Sequence, residues 1–117
     1  MVEISTRDTI VARKIINEID VVNEFISEMT VEDFYEDNKT QRAVSMTLIN
    51  IGELTKSFTE DFLSSNKGVP WKKIQAMRNI AAHNYEAFDM QVVWKTVKED
   101  LLLLRYVLYK GVSHCQS

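Results

Sequence analysis

The stretch that decides the fold is STRDTIVARKIINEIDVVNEFISEM, residues 5–29. Within it Val11, Ile15, Ile19, Val22, Ile26 and Met29 recur every three or four residues, the spacing that gathers side chains on one face of an α-helix. Ser5 and Asp8 stand ahead of this stripe at the spacing of a helix cap, where a serine oxygen can accept from an amide of the first turn. The segment predicts a long amphipathic helix over about residues 6–28. One apolar face of that length has to be covered by other elements of the same chain.

The remaining chain supplies further helices rather than strands. Thr30 and Asp33 repeat the capping spacing before a short turn through Tyr35, and Asn38 with Gln41 does so again ahead of a second long helix, expected over about residues 39–62. Asn66, Lys67 and Gly68 form the clearest loop signal. Pro70 suits the first turn of a helix, so a third helix is expected over about 71–83, with Asn84 as its stop. The last block, about 90–110, sets Trp94, Val97, Leu101, Leu104 and Leu108 in one stripe, with Gly111 as its C-terminal cap and residues 111–117 as a frayed tail. Val93, Leu102, Leu103, Val107 and Tyr109 fall outside that stripe, more apolar surface than a small bundle can cover, and part of it is expected to pack against a second subunit. The expected architecture is all-α: an antiparallel bundle of four main helices with room for a short extra one, in a single domain over 1–117 whose core lies at about 5–110.

Composition agrees and narrows the function. At 117 residues the chain has room for one hydrophobic core and none for a catalytic barrel or a doubly wound nucleotide-binding enzyme. Three glycines and one proline are few punctuators, as expected of a chain with few strands to connect. Fourteen basic against seventeen acidic residues give a net charge of −3, so any nucleic-acid binding has to be local. The single cysteine, Cys115, excludes a disulfide framework, and a reducing cytoplasm is the expected compartment. The longest apolar run, Leu101 to Leu104, is far too short to span a bilayer, so no membrane association is expected.

Most familiar catalytic equipment is missing. With two histidines and one cysteine there is no zinc-type ligand cluster, and neither a phosphate-binding glycine–lysine loop nor a serine nucleophile elbow is present; no metal and no cofactor are expected. The exception is Met77-Arg78-Asn79-Ile80-Ala81-Ala82-His83-Asn84-Tyr85, which puts a permanent cation, an imidazole and a phenol near the end of the third helix. Histidine can move a proton near neutrality, and arginine can hold the extra negative charge of a pentacoordinate phosphorus. RNA cleavage needs little more, because the 2′-hydroxyl is a built-in nucleophile. At about 100° per residue, Arg78 and His83 diverge by about 140°, whereas Asn79 and His83 share a face. The helix therefore has to unwind near His83, or a second copy has to complete the site. Ala81 and Ala82 are small enough to permit the close approach that the second option requires. The bland reading of the same residues is a histidine that stabilises a helix C-terminus.

The segment Arg78-x4-His83-x-Tyr85 resembles the signature of the minimal HEPN toxins of the HepT-like family. Asn50-Ile51-Gly52-Glu53 is similar to that family's Ile-Gly-Glu stretch, Val69-Pro70-Trp71 precedes the motif helix as it does there, and Val93-Trp94 falls at a matching pair. The likeness covers about residues 5–110. It implies a helical-bundle homodimer acting as a metal-independent endoribonuclease, in which Arg78, His83 and Asn79 are catalytic. It also implies a small nucleotidyltransferase antitoxin as partner, with AMP attached to Tyr85. A competing expectation is a noncatalytic helical partner that positions a nucleotidyltransferase or its substrate. Around the motif, Glu53 reads as an exposed carboxylate, with electrostatic support of Arg78 as the alternative, Gly52 as a close helix crossing, Trp71 and Trp94 as core, and Lys72 and Lys73 as solvated charges, with guidance of an RNA backbone as the alternative.

Overall fold

Helix α1 spans Thr6–Ile26, and its N-cap is Ser5, whose side chain accepts from the Asp8 amide. A computed structural model describes residues 4–83 and 89–115, with side chains described outside 79–83 and 114–115. Val11, Ile15, Ile19, Val22 and Ile26 are all buried, as their spacing predicts, while Met29 packs on the edge of the core. The other helices are α2 (Val31–Glu36), α3 (Asn38–Thr55), α4 (Glu60–Ser65), α5 (Trp71–His83), α6 (Met90–Lys95) and α7 (Leu101–Cys115), with a π-helical turn at Thr96–Asp100 joining the last two. No strand occurs among the described residues. The fold is all-α.

Two long helices flank α1. Against α3 it runs antiparallel: Arg7 Nε donates to the Ser57 carbonyl at 2.8 Å, and Asp8 accepts from Thr59. Against α7 it is antiparallel too, with the Arg105 guanidinium on Asp20 at 2.7 Å and Gly111 beside Ile4. Helix α5 packs on the far side of α3.

Four details depart from the sequence-based expectation. The second long helix stops at Thr55 rather than near Phe62. Asp8 is the reason: it is buried at 3% exposure and takes both the Thr59 amide, at 2.9 Å, and the Thr59 hydroxyl, at 2.7 Å. Thr59 Oγ1 in turn accepts from the Phe62 amide and caps α4. A buried carboxylate needs such donors, and the chain turns at residues 56–59 to supply them. The α3 cap is Asp37 rather than Asn38, accepting from the Thr40 amide at 3.0 Å and the Thr40 hydroxyl at 2.7 Å. Gln41 instead donates to the Phe34 and Tyr35 carbonyls at the end of α2.

The last helix runs through Gly111 to Cys115, so 111–115 is not a frayed tail. Gly111 has no positive φ, and Val112, only 7% exposed, anchors the extra turn in the core. Finally, Val93 belongs to the core and Trp94 is only half buried, its ring 5.2 Å from that of Phe34. The buried positions Val93, Val97 and Leu101 are spaced by four twice over, more than the 3.6 residues of an α-turn. The wider π turn keeps them on one face. Beyond them Leu104, Leu108 and Val112 continue the core.

Candidate functional site

Helix α5 crosses α3 at Gly52. A Cβ at that position would lie 2.8 Å from the Ile74 carbonyl oxygen, 3.3 Å from the Arg78 amide nitrogen and 3.6 Å from the Gln75 carbonyl oxygen. Two helix backbones meet there without a side chain between them, as the sequence-based reading of Gly52 expects. Ile74, fully buried, and Met77, nearly so, fix the rotation of α5 about its axis. With that rotation set, Arg78 emerges at the edge of the contact, beside the residue that follows Gly52.

That residue is Glu53. Arg78 Nε lies 2.7 Å from Glu53 Oε2, with the two side chains 46% and 57% exposed. A pair this open to water adds little to stability, typically about 0–1 kcal/mol. Its use is geometric. A guanidinium carries five N–H donors, so one carboxylate can hold it in place while donors remain for a phosphate. Glu53 is thus both exposed, as its residue type suggests, and engaged with Arg78.

Helix α5 is unbroken from Trp71 to His83, so the backbone does not unwind before His83. The side chains of Asn79 and His83, and all of Asn84 and Tyr85, lie outside the described residues. Of the lysines at the start of α5, Lys73 is held by Asp100 at 2.6 Å and ties α5 to the π turn, whereas Lys72 is exposed. Trp71, like Trp94, is half buried against the core rather than within it; its Nε1 donates to the Asn66 carbonyl at 3.0 Å and its ring meets Phe58 edge-on. The 66–71 connection leading into the motif helix is pinned in this way.

On the other side of Glu53 the surface between α1 and α3 opens into a cleft of about 360 Å³, lined by Lys14, Asn17, Glu18, Asn50, Glu53 and Leu54. Sequence reading passed over Lys14, Asn17 and Glu18. Their i, i+3, i+4 spacing puts them on one polar stripe of α1, but only the pairing of α1 with α3 shows which helix they face. Among the described residues no three His, Cys, Asp or Glu side chains come together as a metal site. Nor is any helix there long and apolar enough to cross a membrane.

Comparison with known proteins adds a family to this geometry. A family model described as "Ribonuclease HepT-like" matches residues 15–110, which takes in the C-terminal half of α1, the α3–α5 crossing and most of α7. The chain belongs to the HepT-like ribonuclease family. One HepT-like relative, named as a probable ribonuclease HepT of Thermococcus cleftensis, is 41% identical over 87 residues, covering 74% of this chain and 79% of its own length. A candidate RNase of Methanocaldococcus jannaschii is 36% identical over 74 residues, 63% of this chain and 61% of that protein. A third relative, a candidate RNase of Caldanaerobacter subterraneus subsp. tengcongensis, is 30% identical over 87 residues, 74% of this chain and 78% of its own. No solved structure matches the chain.

Proposed function

We propose that this protein is a metal-independent endoribonuclease, the toxin of a pair whose antitoxin is a small nucleotidyltransferase. The observation that carries the reading is Arg78, set beside the Gly52 crossing and held by Glu53, in a HepT-like chain with His83 five residues further on. His83 exchanges the proton of a ribose 2′-hydroxyl or of the leaving 5′-oxygen. The 2′-oxygen attacks the adjacent phosphorus, and the bond from phosphorus to the 5′-oxygen breaks. Arg78 neutralises the charge that gathers on the phosphorane, and Asn79, one helical turn before His83, orients the imidazole. The nucleophile belongs to the substrate, so the reaction needs no activated water. The products are a 2′,3′-cyclic phosphate and a 5′-hydroxyl. End-group analysis of RNA cut in the presence of a chelator tests this; 3′-hydroxyl ends, or dependence on added metal, would overturn it.

The active form is a homodimer. With α5 helical through residue 83, positions 78 and 83 lie about 140° apart around one helix at about 100° per residue, and a second copy facing the first across a two-fold axis would bring Arg78 of one chain to His83 of the other. Of the apolar surplus anticipated for the last helix, Leu102, Leu103 and Tyr109 are exposed, as is Tyr106, whereas Val93 is core and Val107 half buried. Mixing Arg78→Ala protein with His83→Ala protein then restores one intact site per mixed dimer. No recovery of cleavage would place both groups in one chain.

Control is by AMP transfer to Tyr85. A phosphodiester and a nucleoside there would set negative charge and bulk against an incoming RNA phosphate. Mass spectrometry of protein co-expressed with its nucleotidyltransferase reads the modification; unmodified Tyr85 in a fully neutralised complex would leave simple binding as the means of control.

A further inference from the structure

Glu53 belongs to two places at once, the ion pair with Arg78 and the wall of the cleft between α1 and α3. We propose that this cleft receives the unpaired nucleobase next to the scissile phosphate, with Asn17, Glu18 and Asn50 reading its edge and Lys14 holding the adjoining phosphodiester. The proposal rests on the ribonuclease reading above and assigns its substrate contacts.

Size and chemistry both point to a base. A volume of about 360 Å³ is at the small end of ligand sites, on the scale of one nucleoside and too small for a duplex. RNA is read mainly in single strands and loops, where bases can be splayed out and bonded along their edges. Two carboxamides offer both donors and acceptors, the mixture that a base edge presents, and Leu54 supplies apolar wall for its face. Among the described residues no side-chain hydrogen bond or ion pair engages Lys14, Asn17, Glu18 or Asn50. Their polar ends are therefore not spent on holding the bundle together.

Charge favours the base over a bare phosphate as the main occupant. Arg78 cancels Glu53, and Lys14 cancels Glu18, so the cleft and its rim carry no net positive field. Glu18 only accepts hydrogen bonds; uracil's edge offers it one donor, N3–H, flanked by two carbonyl oxygens that a carboxylate repels, so a base whose edge carries an amine is favoured over uracil. Holding that base also serves the chemistry. In-line attack by the 2′-oxygen needs the nucleotide at a fixed angle to Arg78, and a base seated across Glu53 fixes it.

The test is deep sequencing of cut sites in a random single-stranded RNA library, digested in chelator by wild type and by Asn50→Ala, Glu18→Gln and Lys14→Ala proteins of unchanged melting temperature. Wild type is expected to avoid uracil at one position flanking the cut. Asn50→Ala and Glu18→Gln should relax that preference by about tenfold, the scale of one side chain–base contact. Lys14→Ala should raise KM for all sequences alike and reduce the salt slope of binding by about one. Wild-type cleavage with the same cut-site distribution in all variants would overturn the subsite and leave the ribonuclease reading standing. A general loss of rate without redistribution would make Asn50 and Glu18 structural and overturn it as well. Absence of wild-type cleavage would remove both.

Discussion

Gly52 and Glu53 are consecutive on α3, and α5 meets them in opposite ways. At Gly52 the two backbones touch in a dry contact that has no room for a methyl group. At Glu53 the contact is a single ion pair, with both side chains about half in water. The first fixes where α5 lies and the second fixes only where one guanidinium points. Stability and positioning are thereby separated by one residue. Substitutions on the buried side should unfold the crossing, and substitutions on the wet side should change reactivity while the fold persists.

The largest effect expected from this contrast is that of Gly52→Val. Its branched side chain has to push the Ile74 carbonyl aside, at a cost of about 3 kcal/mol in urea unfolding. Gly52→Ala sharpens the point, because alanine is favoured in a helix by about 1 kcal/mol and should still destabilise the protein here. A stabilised Gly52→Ala variant would mean that the crossing is looser than described.

Glu53→Gln comes next. Unfolding free energy should change by no more than about 0.5 kcal/mol, since exposed pairs contribute little. RNA cleavage should fall about tenfold because Arg78 loses its orienting partner, a cost of about 1.4 kcal/mol in barrier height. Glu53→Asp should recover part of the rate. Equal loss of stability and activity would make the pair a structural one.

The smallest effect concerns the cap of α3, away from the crossing. The Thr40 amide, followed by the Thr40 hydroxyl, holds the Asp37 carboxyl below its ordinary value. A carboxylate shifted down in the folded state contributes stability above its unfolded pKa and loses it as pH falls through the folded one. Asp37→Asn keeps a capping oxygen without the charge, so the variant should match wild type in acid and fall slightly below it near neutrality. Parallel pH melts read the difference.

Much of this molecule is legible in its residues before any coordinates. The stripe from Val11 to Ile26 gives α1, because a buried face repeating every turn has no other solution. The capping box at Thr30 and Asp33 is present with both of its bonds. Gly52 is readable as a close approach because nothing else recommends a glycine within a helix. The break after Thr55 is harder to see. Thr59 followed by Glu60 and Asp61 is a helix-start signal, but its force comes from Asp8, fifty-one positions earlier, and local pattern does not show that partner. The run past Gly111 depends likewise on Val112 finding the core. Arg78 can be picked out from motif spacing, whereas the cleft beside it exists only once α1 and α3 are paired, so Lys14, Asn17 and Glu18 carry no signal of their own.

The proposed ribonuclease site joins Arg78, placed by the Gly52 crossing, to His83. It is tested most directly by the cleavage rate of a single-stranded RNA in chelator for wild type, Arg78→Ala and His83→Ala, with melting temperatures measured alongside. Each variant is expected to melt with wild type and to cut about 10²- to 10⁴-fold more slowly. Undiminished cleavage in both variants would contradict it.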